Sequence, residues 1–371
     1  MTLGAESLEY SPHTSAPPGE TLKETLEALG ITQVDLARRT GFSTKHVNQI
    51  IQGSAVLTPE TAEVLERVTG VPAALWNTLE AAWRTQAVRE EENKKLRIHL
   101  DWLDKFPLAE LVTRKILPDR SKSVENLRLL LNFFGVANPE VAEELWAGYR
   151  IAFRRSGNIE PNDYSVSVWL RQSVRAARKI ECQPYRRHEL IRLLPELRAL
   201  CRRNPETWLT ELPLLCARAG VAVVFLPALK GTHISGATRW LTTEKVLVAL
   251  TDRHKKDDRF WFSFFHEIAH VLLHGKRLTF LDDDPMKYDE DPAEDEANRF
   301  AAEMLIPSKY SYDYERLRIR PKPFVKIEEF AAMVGISPGV VVGRLQHDGA
   351  LPWSEGNGLK QGFKLTLDEL R

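Results

Sequence analysis

Residues 257–275 read DDRFWFSFFHEIAHVLLHG, and this stretch decides how the C-terminal half of the chain is understood. It predicts one buried helix, with Asp257 or Asp258 as its cap and Gly275 as its stop. The helix carries His266, Glu267 and His270 in the pattern H-E-x-x-H. An α-helix turns about 100° per residue, so the two histidines share a face, about 6 Å apart along the axis, and both can reach one metal ion. Glu267 lies one residue round, close enough to touch a metal-bound water without being a ligand. A metal that acidifies water, beside a carboxylate that takes the proton, is the apparatus of metal-assisted hydrolysis. Phe260, Trp261, Phe262, Phe264, Phe265, Ile268, Val271, Leu272 and Leu273 surround the motif with apolar surface, so the helix is expected to be buried on most sides. Two His and a Glu are costly there unless they have partners or a cavity.

The third ligand is expected downstream. Residues 294–307, EDEANRFAAEMLIP, form a second amphipathic helix stopped by Pro307. Glu294 and Asn298 are four apart and share a face, so Glu294 could complete a His₂Glu site while Asn298 holds a ligand from behind. Glu296 is the rival. It points about 200° away from Glu294, and a regular helix cannot offer both to one ion.

The segments FSFFHEIAHVLLH and EDEANRFAAEMLIP, preceded by GTHISGATRWLTTEKVLVALTDRHKKDDRFWF, resemble the ImmA/IrrE metallopeptidases. The resemblance implies a small gluzincin-like zinc peptidase fold, often joined to a helix-turn-helix. Family members of known role cleave a repressor protein and so switch transcription. By motif match, His266, His270 and Glu294 would hold Zn²⁺, with Mn²⁺ as the other candidate, and Glu267 would be the base.

The N-terminal part reads as short helices. Residues 21–29, 32–39 and 43–51 form the first three, and Thr58 with Pro59 opens a fourth. The tight turn at 40–42 marks a helix-turn-helix, with Leu36, Ala37, Gly41, Val47 and Ile50 where small or apolar residues are needed. ITQVDLARRTGFSTKHVNQIIQG, continued by LTPETAEVLERVTGVPAALW, resembles the Xre/HigA type of DNA-binding domain. The third helix would enter the major groove of double-stranded DNA, offering Ser43, Thr44, Lys45, His46, Asn48 and Gln49. Gln33 could touch the backbone. Residues 20–84 hold six Lys/Arg against eight Asp/Glu, and only 31–53 is positive, by three to one. Phosphate neutralisation by a monomer is therefore weak, and a homodimer on a two-fold operator suits better.

The 371 residues are neutral overall and 43% hydrophobic, room for about two to four domains with a sizeable core. No apolar run reaches membrane-span length and no signal peptide is apparent. Cys182, Cys201 and Cys216 show no C-x-x-C spacing. These features point to a cytoplasmic protein without a membrane partner. The expected organisation is multidomain and mainly α: a disordered tail at 1–19, an all-α helix-turn-helix domain at 20–85, a helical middle region at 86–204, and an α+β metallopeptidase domain with a small β-sheet at 205–371. Residues 85–96 read as a solvated helical linker. Residues 149–203 carry thirteen Lys/Arg against five Asp/Glu, and could meet phosphates or an acidic partner. LLNFFGV and VWLR, in this order of segments, resemble full-length regulators joining a helix-turn-helix to an ImmA/IrrE domain.

Within 205–371, residues 221–226 form a strand, and 233–241 with 245–251 form a hairpin. Val246–Leu250 is the expected edge strand that holds extended substrate. His233, Arg253 and His274 are candidate oxyanion donors. His274 drifts about 80° from His266 on a regular helix and is not expected to ligate. Residues 281–295 read as an acidic loop, and 327–345 as two helices around Gly335 that imitate a helix-turn-helix but serve peptidase packing. The expected function is a DNA-binding regulator with a zinc endopeptidase that cleaves a repressor, an antitoxin or itself, as in toxin–antitoxin systems. The alternative is an antitoxin-like repressor whose metal domain senses a ligand, cognate toxin or other partner without proteolysis.

Overall fold

A computed structural model describes residues 17–153, 162–253, 255–274 and 292–367. It divides into two compact units, residues 1–100 and 101–371. The first contains α1 (Pro18–Leu29), α2 (Gln33–Thr40), α3 (Thr44–Ile51), α4 (Pro59–Thr69) and α5 (Ala73–Arg97). Local chemistry sets these boundaries. Thr32, Ser43 and Thr58 each accept a hydrogen bond from a backbone N–H of the first turn, at Asp35, His46 and Thr61. Gly41 ends α2 with φ 75°, a left-handed conformation that costs glycine little. One buried cluster, including Leu22, Leu36, Val47, Leu65 and Trp76, packs the helices together. Of the expected disordered tail at 1–19, residues 1–16 lie outside the described residues, whereas Pro17 stands at the N-cap of α1 and Pro18 and Gly19 are buried in its first turn. The charged stretch 85–96 is the second half of α5, not a separate helix.

In the second unit, α6 (Leu108–Thr113), α7 (Val124–Phe134), α8 (Pro139–Phe153) and α9 (Asp163–Lys179) precede α10 (Arg187–Ala199) and α11 (Pro205–Ala217). Then come β1 (Val221–Phe225), β2 (Gly236–Thr242) and β3 (Lys245–Leu250). The strand order is β1-β3-β2, with β1 parallel and β2 antiparallel to β3. This overturns the expectation for Val246–Leu250. β3 is central, and both its edges are taken. Among the described residues the strand at the sheet's edge beside the active helix is β2. The hairpin reading of 233–251 could not show this, because the parallel partner, β1, comes from outside the hairpin.

The middle helices pack against this sheet. Trp169 on α9 donates its indole N–H to the Leu226 carbonyl at 3.1 Å, and Arg114 donates to the Pro227 carbonyl at 2.7 Å. Part of the basic excess is spent inside the fold. Arg198 donates to the carbonyls of Met304, Leu305 and Val334, and Arg187 to that of Leu272. Cations at helix C-termini satisfy orphan carbonyls and complement the macrodipole.

The stretch that opened the reading becomes α12 (Asp257–Ala269), followed by a π-helical turn at His270–His274. Neither Asp257 nor Asp258 caps it. Lys256 occupies the cap without a side-chain bond, and the two acids are buried one step further in. Asp257 accepts from the Ser337 hydroxyl at 2.6 Å and the Gln361 N–H at 2.9 Å, tying the helix start to the C-terminal segment. Gly275 and residues 281–291 lie outside the described residues. The acidic segment resumes as α13 (Pro292–Leu305), so its last residues are helical. α14 (Ser311–Ile319), α15 (Val325–Val334) and α16 (Pro338–His347) complete the unit. Beneath α12, Trp208 stacks on Phe260 at 4.2 Å and meets Trp261 edge-on at 5.4 Å, fixing the helix against the sheet.

Candidate functional site

α12 and α13 lie side by side and bring three ligand atoms to one point. His266 Nε2 is 3.0 Å from His270 Nε2 and 3.2 Å from Glu294 Oε2, and His270 Nε2 is 3.4 Å from Glu294 Oε1. Tetrahedral zinc with N and O ligands at about 2.0–2.1 Å has ligand–ligand edges of roughly 3.3–3.4 Å. The observed triangle is within a few tenths of an ångström of that, so the three residues fit a divalent metal. Among the described residues they form the cluster able to hold one.

The protonation chemistry agrees with the geometry. Burial alone would push the His266 imidazole down, but the Glu294 carboxylate beside it holds it above its ordinary value. Glu294 is held below the usual carboxylate range, chiefly by its bond to His266. Both shifts have one cause, the attraction between the Glu294 carboxylate and positive charge at this point, which a metal cation would also meet. Asn298 Oδ1 is 3.0 Å from His266 Nδ1. An Nδ1–H donated to it leaves Nε2 as a lone pair aimed at the triad.

Glu267 is 7% exposed and takes no part in the triangle. Thr238 Oγ1, on β2, donates to its Oε2 at 2.7 Å. Gly236 makes room for it: a Cβ there would stand 2.8 Å from Oε1 and 2.9 Å from Cγ. Burial pushes the Glu267 carboxyl up to about 7, against the lowering effects of His266 and Thr238. Reading the sequence missed both Thr238 and Gly236. Small and hydroxylic residues in the strand before H-E-x-x-H were the available signal.

It also missed the roles of His274 and Glu296. His270 Nδ1 is 3.0 Å from His274 Nδ1, and His274 Nε2 is 3.1 Å from Glu296 Oε2. The consistent proton assignment has His274 Nε2–H donating to Glu296, and His270 Nδ1–H donating to His274. That again leaves His270 Nε2 free for the triad. Glu296 thus does point away from the triad, as expected of a rival to Glu294, but it supports a ligand from behind. The π turn makes this possible. A regular helix over-rotates about 40° in four residues, whereas the wider π turn under-rotates by nearly as much and returns His274 to the His270 side. Outer partners of a ligating His typically contribute 10–100-fold in metal affinity. His274→Ala is therefore expected to weaken metal binding about 10–100-fold, measured by competition with a chromophoric chelator. Unchanged affinity would remove His274 from the site.

Of the other candidate oxyanion donors, Arg253 is engaged elsewhere: its guanidinium donates to the His233 backbone carbonyl. In the first unit, α3 presents Ser43, Thr44, Lys45 and Asn48 to solvent, with His46 and Gln49 half-buried. Ser43 spends its hydroxyl oxygen on the His46 N–H at 3.1 Å, and His46 packs edge-on against Phe42 at 5.3 Å. Gln33 is half-buried at the start of α2.

Comparison with known proteins agrees with both units. The family described as IrrE N-terminal-like domain (Peptidase_M78) matches residues 216–346, which span β1–β3, α12, α13 and nearly all of α16. The family described as helix-turn-helix matches residues 22–76. Over 66 residues the chain is 32% identical to the uncharacterized HTH-type transcriptional regulator YddM of Escherichia coli (strain K12), covering 18% of this chain and 70% of that one. The chain belongs to the helix-turn-helix transcriptional regulators and carries an IrrE-like peptidase-related domain. A solved structure, an addiction module antidote protein of a HigA family from Coxiella burnetii, is similar at 27% identity over 22% of this chain and 91% of its own, with a TM-score of 0.21. Among the described residues no helix is long and apolar enough to cross a membrane.

Proposed function

We propose that this regulator is a metal-dependent endopeptidase acting on a regulatory protein: a repressor, an antitoxin or the chain itself. The observation that carries the reading is the convergence of His266, His270 and Glu294 beside a buried, proton-hungry Glu267. A bound Zn²⁺ or Mn²⁺ would acidify a water and polarise the scissile carbonyl. Glu267 takes the water's proton and passes it to the leaving amine, a task suited to a carboxyl near 7. His266 and His270 keep their Nε2 lone pairs available because Asn298 and His274 occupy Nδ1. The exposed edge of β2 holds substrate in extended form, since its Thr238 already touches Glu267. The N-terminal unit sets α3 into the major groove of an operator, with Lys45, Asn48 and Gln49 reading base edges or phosphates as part of a homodimer.

Thr238 gives a check on the base. Glu267 must be ionised to act, so cleavage falls as pH drops through its pKa. Thr238→Val removes a bond that lowers this pKa, and is expected to move the acid limb upward by roughly one unit. An unmoved limb would mean another group titrates. The primary test is metal content of the purified chain and of His270→Ala, with both incubated alone and with proteins encoded beside its gene. One metal per chain, lost with cleavage in the variant, supports the peptidase. Metal without cleavage of any neighbour or of itself moves the reading to a metal-bearing sensor.

A further inference from the structure

A cavity of about 440 Å³ lies between α12, α13 and α16, a volume typical of small-ligand sites. Its lining combines the apolar Phe262, Ile306 and Val340 with the guanidiniums of Arg259, Arg299 and Arg344, α12 and α16 each contributing one of either kind. The helices deliver these residues by spacing. Arg259, Phe262 and His266 form an i, i+3, i+7 stripe on α12, which places the cavity on the His266 face of the helix. Asn298 belongs to both, lining the cavity and bonding His266.

The three guanidiniums are held, not loose. Arg259 lies over the Trp353 ring at 5.0 Å, Arg299 donates Nε to the Asp295 carbonyl at 3.3 Å, and Arg344 donates Nε to Asp348 at 2.9 Å. Each such bond takes one of five N–H donors. The carboxylate lining the cavity, Asp258, is neutralised from behind by Lys360 at 2.7 Å, both groups being almost fully buried. Gly343 permits this close approach of α16, since a Cβ there would stand 2.5 Å from Asp258 Oδ2. The open space therefore meets hydrocarbon and three guanidiniums, of which Arg344 already shares its charge with Asp348 while Arg259 meets a ring and Arg299 a backbone carbonyl.

We infer that this cavity binds an organic carboxylate, with its apolar body against Phe262, Ile306 and Val340 and its charge on Arg299 and Arg344. A free carboxylic acid and an acidic residue of a polypeptide offer the same chemistry. The site stands whether or not the chain is a peptidase.

The test uses the full chain, ligand-observed NMR, and 4-phenylbutyrate beside its uncharged amide. The acid is expected to bind, the amide at least about ten-fold more weakly, equivalent to one lost charge-assisted contact. Arg299→Ala, at an exposed position, should weaken the acid about ten-fold and leave the amide unchanged. Ala302→Trp, which fills the cavity, should abolish both. A blocked acetyl-Ala-Phe-Glu-Ala-amide peptide forms the second arm. Displacement of 4-phenylbutyrate by the peptide assigns the site to a polypeptide residue, and binding of the free acid alone assigns it to a small effector. Equal affinity for acid and amide, binding untouched by Ala302→Trp, or no binding of any probe overturns the inference.

Discussion

Glu267→Gln is expected to lower cleavage by about 10²–10⁴-fold while leaving one metal per chain in place. Gln has nearly the same shape and can still accept from Thr238, so the pocket formed by Gly236 and Thr238 stays filled. What it lacks is a site for the proton. The metal stays because Glu267 is not among the three converging ligands. The same substitution should stabilise chelated protein, and the sign follows from linkage. The folded pKa, about 7, lies above the ordinary 4.5, so the folded state holds its proton more tightly. The resulting penalty is absent below pH 4.5, grows as pH rises, and is complete above 7. Gln removes it. Urea unfolding at pH 8 should therefore show the variant more stable, on the order of 3 kcal/mol, with the gap closing near pH 4. A less stable variant at pH 8 would mean that Glu267 is not held against its own charge.

The meeting of His266, His270 and Glu294 was legible because it rests on one short period. Four residues bring His266 and His270 to one face, and the same interval relates Glu294 to Asn298. The parts that were hidden depend on contacts between distant segments. β3 became central only because β1, some twenty residues upstream, adds on in parallel. His274 joined the site only because the helix relaxes into a π turn, which leaves no mark in a hydrophobic pattern. Asp257 reads as a cap by composition, but it is buried against Ser337, 80 residues away.

The two helix-turn-helix-like segments show the same boundary between local and global. Gly41 and Gly335 adopt φ 75° and 82°, and Ser43 and Ser337 cap the following helix with identical φ −73° and ψ 148°. Turn chemistry alone makes them equivalents. The next turn separates them. α3 buries Val47 and Ile50 and exposes Thr44, Lys45 and Asn48, whereas α16 buries Val340, Val341, Val342 and Leu345. A helix buried on several faces cannot enter a groove in DNA, and the scarcity of basic residues in 327–345, where Arg344 stands alone, points the same way.

Val47→Asp is expected to abolish operator binding and leave metal uptake unchanged. Val47 is fully buried, in a core of eleven residues that holds the N-terminal helices. A carboxylate placed there has no partner. It must either stay charged in hydrocarbon or give up ionisation, and the cavity and strain terms add to that cost, about 4 kcal/mol or more. A small unit lies toward the low end of the roughly 5–15 kcal/mol of native domains, so a loss of this size removes most of its stability and loosens the packing that presents α3. The second unit has its own core around Trp208, Phe264 and Val341, and the metal triad is built wholly from it. Electrophoretic mobility shift with the chain's own promoter, alongside metal analysis of the same sample, separates the outcomes. Operator binding within ten-fold of wild type would show that α3 is not the reading element. Loss of metal together with DNA binding would show that the units fold as one. Lys45→Ala provides the milder comparison. Lys45 is exposed and carries one of three positive charges between Ile31 and Gly53, so its removal should reduce the salt slope of binding by about 1 without unfolding the unit.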